Sequence, residues 1–184
     1  MPTFQKADIL LSTTDAKVSG AIRFGAGSDY SHAAVYVGSG GMIEAVGNGV
    51  RFVTLDVGTA DNSITHVYRR RNLTPQQADL VCQYARQQVG KDYDSKGAIG
   101  AGASTRRGII IGSAISPAGT VAARQWAAEN RRAPEVAFYC SELVAHAFRA
   151  AGAPLVMDAA TVTPEQVRLS NYIELIGQYS PPGS

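Results

Sequence analysis

The first part of the chain consists of short apolar runs separated by glycine-rich or polar breaks, a pattern typical of antiparallel strands. Two of the runs flank the glycine-rich segment 38–41, so we expect them to form a β-hairpin. The predicted strands are residues 7–12, 31–37, 42–46, 50–55 and 64–70.

Helical periodicity begins after the last of these strands. Thr74 is a good N-cap, Pro75 suits the first helical position, and Gly90 ends the apolar face that lies between them. The remaining predicted elements are a helix at residues 141–151, a short helix opened by Thr163 and Pro164, and a final strand at residues 172–176.

Residues 97–130 are rich in Gly, Ala and Ile, and we interpret them as an insertion with a helix near its end. Neither a repeat nor a long linker divides the rest of the chain, so residues 1–184 are predicted to form one domain. The chain is 45% hydrophobic and only 17% charged, which is typical of a globular protein with a core of its own.

The 17 Lys and Arg residues exceed the 15 Asp and Glu residues by a net charge of +2. The basic residues cluster at 69–71, 106–107 and 131–132, whereas a nucleic-acid binder usually gathers them on one helix or stripe. We interpret them as solvated surface, with a docking face for an anionic polymer or membrane as the alternative. We expect no nucleic-acid partner.

The longest apolar run, residues 108–115, is far too short to span a bilayer, and we expect no stable membrane insertion. The first residues are too polar for the hydrophobic region of a signal peptide. We therefore expect a protein made soluble without a signal peptide, either cytoplasmic or exported by a signal-independent system.

The two cysteines differ in their expected surroundings. Cys140 precedes an amphipathic helix, where free N–H groups and the helix dipole favour a thiolate. Cys82 lies on the apolar face of the earlier helix and is interpreted as packing. Two cysteines are too few for a disulfide scaffold or a four-ligand zinc site, and we expect neither a metal nor a cofactor.

A nucleophilic thiolate needs a base within hydrogen-bond reach. His32 starts a predicted strand and is the candidate. His66 is interpreted as structural. His146 lies six residues beyond Cys140 on the same helix, and we expect it to be solvent-exposed.

Residues 31–38 and 41–45 resemble the histidine hairpin of the NlpC family of papain-like cell-wall hydrolases. Because the cysteine helix follows the hairpin, the order resembles the circularly permuted, YiiX-like branch. Further similarity lies at residues 6–10, where Ala7 stands in place of the usual Gly, at residues 90–94, and at residues 163–164 and 169–170. The resemblance implies an α+β papain-like fold, an antiparallel sheet or partial barrel packed against helices that include the cysteine helix.

The resemblance also implies a Cys140–His32–Glu44 triad, in which Glu44, twelve residues after His32, orients the imidazole. Simple ladder geometry leaves this open. A three-residue loop would place Glu44 opposite Tyr36 and Asn48 opposite His32, so Asn48 is a rival unless a bulge or strong twist brings Glu44 closer. Oxyanion or substrate contacts are expected from the N–H of Cys140 and, among side chains, from Tyr93 and Tyr139.

The chemistry implied is acyl transfer to Cys140 followed by hydrolysis. The substrate suggested by the resemblance is an amide bond in peptidoglycan stem peptides, with the protein acting as an antibacterial effector that has secretion machinery and an immunity protein as partners. The alternative is a lipid or N-acyl hydrolase or acyltransferase related to the lecithin:retinol acyltransferase group. A non-enzymatic binding module is the third possibility.

Overall fold

The computed structural model describes residues 1–14, 29–94, 98 and 137–181. The predicted insertion at 97–130 lies outside these residues except for Ala98. Within the described part, a mixed α/β architecture is built on a six-stranded antiparallel open sheet. Its strands are β1 (Ile9–Thr14), β2 (His32–Gly38), β3 (Gly41–Val46), β4 (Gly49–Thr54), β5 (Asn62–Arg70) and β8 (Ile173–Tyr179). Their spatial order is β4-β3-β2-β1-β5-β8.

Three of the helices correspond to predicted ones, whereas the helix at 55–59 and two small strands were not predicted. The helices are α1 (Leu55–Thr59), α2 (Pro75–Gln87), α3 (Cys140–Ala150) and α4 (Pro164–Arg168), and β6 (Asp92–Tyr93) pairs in parallel with β7 (Ala137–Phe138). Both Thr74 and Thr163 form capping boxes with the Gln three residues later. The predicted sheet, the hairpin and the three predicted helices that fall within the described residues are therefore confirmed.

The predicted strand boundaries differ from the observed ones by up to three residues, and at one of them the type of element changes as well. The strand expected at residues 50–55 ends at Thr54, and Leu55 opens the short helix α1 instead. The reason is local: the backbone N–H of Leu55 donates to the carbonyl of Gly40 in the hairpin turn, after the last ladder pair between Gly41 and Thr54.

The sheet buries apolar side chains on both faces. The larger cluster joins Ile9, Leu11, Val35 and Ile43 of the sheet to α2 and α3, and the smaller one joins residues such as Leu10 and Met42 on the opposite face. Alternation along each strand assigns successive residues to the two clusters. In the described part, no helix combines the length and apolarity that a membrane crossing requires.

The expectation that the arginine triplet is solvated surface is wrong for Arg69. Its guanidinium donates to both carboxylate oxygens of Asp8, at 2.7 and 2.8 Å, and the Asp8 side chain is fully buried. Arg70 donates to the carbonyls of Ala153 and Arg71. Only Arg71, about half exposed and 3.5 Å from Glu174, fits the expectation. The pairs at 106–107 and 131–132 lie outside the described residues.

Candidate active site

Three separate elements meet at the candidate site. His32 is the first residue of β2, Glu44 lies in β3, and Cys140 is the first residue of α3. The helix packs on the sheet through its apolar face, and Leu143, Val144, Ala147 and Phe148 belong to the larger core cluster. The core therefore fixes where the N-terminal turn of α3 meets the start of β2.

The register of the hairpin decides which polar residue reaches His32. Gly38 pairs with Gly41 across a two-residue turn, and an irregularity before Gly38 moves the ladder so that Ala34 faces Glu44. Ala34 is two residues from His32 on the same face, and diagonal neighbours of this kind lie about 7–8 Å apart, within reach of long side chains. Asn48 is exposed in the turn between β3 and β4.

The imidazole of His32 lies between a carboxylate and a thiol. Its Nε2 is 2.7 Å from Oε2 of Glu44, and the Glu44 side chain is only 2% exposed. The buried Cys140 and the imidazole each shift the pKa of the other, so the thiol lies beside the ring. Since Glu44 occupies Nε2, Nδ1 is the ring nitrogen left for the thiol.

These contacts favour a thiolate–imidazolium pair. Burial by itself lowers the pKa of His32, but the hydrogen bonds and charges of Cys140 and Glu44 raise it to about 10. Burial raises the pKa of Cys140, but His32 and backbone hydrogen bonds from Ala33 and Ser141 outweigh it and lower that pKa below its ordinary value. Burial also raises the pKa of Glu44, and His32 and Arg51 reverse that effect, so the carboxylate stays ionised.

Both candidate tyrosines are tied to the segment that leads into α3: Tyr93 pairs with Phe138 between β6 and β7, and Tyr139 directly precedes Cys140. Tyr93, half-buried in β6, has its pKa raised by burial and then by the Cys140 charge, which also raises the pKa of Tyr139. The Tyr139 side chain is buried, and its hydroxyl donates to the carbonyl of Ala160 at 3.2 Å. Tyr93 is thus the better placed of the two.

Cys82 has the surroundings of a packed residue. It lies in the middle of α2, is buried, and its sulfur contacts the carbonyl of Tyr36 at 3.8 Å. Burial raises its pKa, the opposite of the direction at Cys140.

The other two histidines, His66 and His146, have hydrogen-bond partners outside the candidate site. The expected exposure of His146 is wrong: the residue is buried, because α3 is enclosed on all sides from Cys140 to Phe148. Its Nδ1 lies 3.1 Å from the guanidinium of Arg149. His66 accepts or donates a 2.7 Å hydrogen bond with the hydroxyl of Tyr30 in a separate polar cluster.

Arg51 is a site residue that the sequence analysis did not single out. It faces Glu44 directly across the β3–β4 ladder, and its Nε and Nη2 donate to Oε1 of Glu44 at 2.9 and 2.8 Å. The sequence signal would have been the register of β4 against β3, which sets Arg51 opposite Glu44. That register could be derived only once the length of the turn between the two strands was known.

No set of three or more His, Cys, Asp and Glu side chains within residues 1–14, 29–94, 98 and 137–181 is arranged as a metal site. His32 separates Cys140 from Glu44, so the three groups form a row instead of converging on one point.

Comparison with known proteins identifies relatives with the same architecture. "Probable lipoprotein peptidase YaeF" of Escherichia coli K12 is 31% identical over 98 residues, which are 53% of this chain and 36% of that protein. The match therefore spans about a third of the relative's length. The crystal structure of the metalloprotein YiiX from Escherichia coli O157:H7 superposes with a TM-score of 0.65 and 19% identity, covering 96% of this chain and 98% of that one, and it supports the fold.

A family model described as the permuted papain-like amidase enzyme, YaeF/YiiX, C92 family, matches residues 3–97. This segment is just over half of the chain and contains His32, Glu44 and Arg51, whereas Cys140 lies outside it. The match agrees with the permuted order, in which the histidine hairpin precedes the cysteine helix. The chain belongs to the permuted papain-like amidase family.

Proposed function

We propose that this protein is a cysteine hydrolase that cleaves an amide bond through Cys140, His32 and Glu44. The observation that carries the proposal is the imidazole held between a buried carboxylate at 2.7 Å and the thiol at the start of α3. A structural cysteine needs neither partner, as Cys82 shows, whereas a nucleophile needs both a base and a group that orients the base.

The proposed reaction proceeds in two halves. His32 holds the proton of Cys140, and the thiolate attacks the carbonyl carbon of the scissile amide. The resulting tetrahedral intermediate collapses when His32 passes that proton to the leaving amine, which leaves an acyl–sulfur bond. His32 then takes a proton from water, the hydroxide attacks the acyl group, and the carboxylic acid product leaves as the sulfur recovers its original state. Glu44 accepts the Nε2–H bond throughout.

Negative charge develops on the carbonyl oxygen of the substrate during the attack, so hydrogen-bond donors are needed near the sulfur. The first N–H groups of a helix have no partner within the helix, so the N–H of Cys140 is a candidate donor. The hydroxyl of Tyr93 is the side-chain candidate, since its pKa responds to the Cys140 charge after burial. The Tyr139 hydroxyl is already engaged with Ala160, which favours a supporting role for it.

We propose peptide bonds of peptidoglycan stem peptides as the substrate. The amidase description of the family and a relative named "Probable lipoprotein peptidase" support an amide or peptide bond as the target. The resemblance of the histidine hairpin to cell-wall hydrolases supports peptidoglycan as its source. Action on this polymer requires that the protein reach it, and delivery by a secretion machine, with an immunity protein in the producing cell, belongs to the same proposal.

The test is digestion of purified sacculi by the whole chain, with products read by mass spectrometry. Cys140→Ala should abolish new fragments, and Cys82→Ala should leave them nearly unchanged because its thiol takes no part. Titration of free thiols in the Cys82→Ala protein confirms that Cys140 is reduced. Intact sacculi under these conditions would contradict the peptidoglycan proposal, and Cys140-dependent release of fatty acid from a lipid panel would favour an acyl-lipid substrate instead.

A further inference from the structure

Glu44 divides its two oxygens between two cationic partners. Oε2 faces Nε2 of His32 at 2.7 Å, and Oε1 receives Nε and Nη2 of Arg51 at 2.9 and 2.8 Å. Because each oxygen has its own partner, the contacts hold the orientation of the carboxylate as well as its position.

The register of the strands places these side chains next to one another. Glu44 and Arg51 are directly opposed in the β3–β4 ladder, and Glu44 is opposed to Ala34 in the β2–β3 ladder. Side chains opposed across a ladder share one face of the sheet, so Arg51, Glu44 and His32 form a row across three strands. Only Arg51, with its side chain 46% exposed, reaches far into solvent.

The charges around Glu44 change during the proposed reaction. Among the described groups that face it, His32 on β2 is cationic only while it holds the proton, and Arg51 on β4 is always cationic. A carboxylate that is 2% exposed and lacks a counter-charge favours its neutral form. In the acyl-enzyme His32 has given up its proton, so Arg51 supplies the remaining positive charge.

The protonation state of Glu44 sets the tautomer of His32. An ionised carboxylate only accepts hydrogen bonds, so it keeps the imidazole proton on Nε2 and leaves the lone pair of Nδ1 free to take a proton from water. A protonated carboxyl group would donate to Nε2 instead, which places the imidazole proton on Nδ1 and removes the base. Loss of the correct tautomer costs about 10⁴-fold in kcat in serine proteases.

We propose that Arg51 is a positioning residue of this site: it keeps Glu44 an ionised acceptor and thereby keeps Nδ1 of His32 available as the base. The inference rests on the proposed function of Cys140 and His32. It extends the expected three-residue set to a row of four, in which Arg51 acts only through Glu44.

The test measures the rate at which iodoacetamide alkylates Cys140 as a function of pH in the whole chain, in a Cys82→Ala background so that a single thiol reacts. Arg51→Met should move the midpoint of the curve to higher pH by about one unit, because Glu44 loses one of the two cations that keep it ionised and then stabilises the imidazolium less. Arg51→Lys keeps the positive charge, so its midpoint should lie between those of the parent and of Arg51→Met. With substrate, Arg51→Met should lower kcat by about 10–100-fold with little change in KM, as outer partners of catalytic groups do.

Arg71→Met is the matched control, since Arg71 is also about half exposed and paired with a glutamate but lies away from the site. Its curve should superpose on that of the parent. In a Glu44→Gln background, Arg51→Met should add no further shift. Arg51 acts only through the carboxylate of Glu44, which that background lacks.

A folded Arg51→Met protein with an unshifted curve overturns the inference. If that variant does not fold, Arg51→Gln replaces it, and an unshifted curve in the replacement overturns the inference equally. An ordinary thiol curve in the parent protein, in which Arg51 is intact, would overturn the proposed function instead.

Discussion

At the scale of single residues, the charge states of Cys140 and His32 define the expected activity. Burial opposes both charges, yet the contacts with each other and with Glu44 lower the pKa of Cys140 and raise that of His32 to about 10. The ion pair is therefore present between these two values. Below the lower one the thiol is protonated, and above the upper one the imidazole has lost the proton that the leaving group needs.

We predict a bell-shaped dependence of kcat/KM on pH. The acid limb should lie below the ordinary thiol range and the alkaline limb near pH 10, where His32 loses its proton. Initial rates from pH 4 to 11 (roughly the range in which these groups titrate) on any substrate found by the sacculus experiment would measure both limbs. An acid limb in the ordinary thiol range near pH 8.5 (about the value of a free cysteine) would contradict the assigned pair.

A second residue-scale prediction concerns the ion pair between Arg69 and the buried Asp8. Arg69→Met should lower the free energy of unfolding by about 3–5 kcal/mol, because it leaves the fully buried Asp8 without its cation. Urea denaturation would measure the change. Arg71→Met, whose pair with Glu174 is exposed, should cost about 1 kcal/mol or less. Equal losses in the two variants would show that burial is not the cause.

At the scale of elements, the β2–β3 hairpin is the feature on which the site depends. Its two central residues, Ser39 and Gly40, both have positive φ, 52° and 72°, as the type I′ turn requires. This tight turn and the irregularity after Tyr36 together bring Glu44 opposite Ala34. A one-residue slip of the same strand would place Glu44 on the other face.

We predict that Gly40→Ala lowers the free energy of unfolding by about 1 kcal/mol. A Cβ there meets no atom within 4 Å, so the cost comes from the left-handed backbone alone. Gly47→Ala is the control: it too has open space but no positive φ, and it should leave stability unchanged or raise it slightly. Thermal unfolding of the two variants measures the difference, and a Gly47→Ala loss as large as that of Gly40→Ala would argue against backbone strain.

Much of this hairpin could be predicted from the sequence, since its apolar runs and glycine-rich turn are local signals. The pairing of Glu44 with His32 could not be derived from strand geometry alone, because the two-residue turn and the irregularity at Tyr36 shift the register by amounts that no single residue encodes. Arg51 was missed for the same reason. The burial of His146 was mispredicted because helical periodicity describes one face, whereas α3 is enclosed on every side.

At the scale of the whole molecule, the sheet and the cysteine helix depend on each other. The larger core cluster draws on β1, β2 and β3 as well as α2 and α3. The family match ends at residue 97, so the helix that completes this core lies beyond the matched segment. The domain organisation expected for residues 1–184 stays a prediction.

We predict that Phe148→Ala, which empties a fully buried position on α3, lowers the free energy of unfolding by about 3–5 kcal/mol. It should also slow alkylation of Cys140 under mildly destabilising conditions, because the thiol loses its docked position beside His32. Urea denaturation checks the first part and iodoacetamide the second. The exposed Leu169→Ala should change stability by no more than about 0.5 kcal/mol, and a similar loss there would contradict the assignment of Phe148 to the core.

The permuted order also has a consequence for protein synthesis. A ribosome produces the sheet residues His32 and Glu44 long before it produces Cys140, and it produces β8, an edge strand of the same sheet, only afterwards. An unfinished chain therefore carries the base without the nucleophile, and Cys140 on a newly finished chain is an ordinary thiol until α3 docks. In the proposed mechanism the thiol of Cys140 therefore becomes reactive only when folding brings α3 against the sheet.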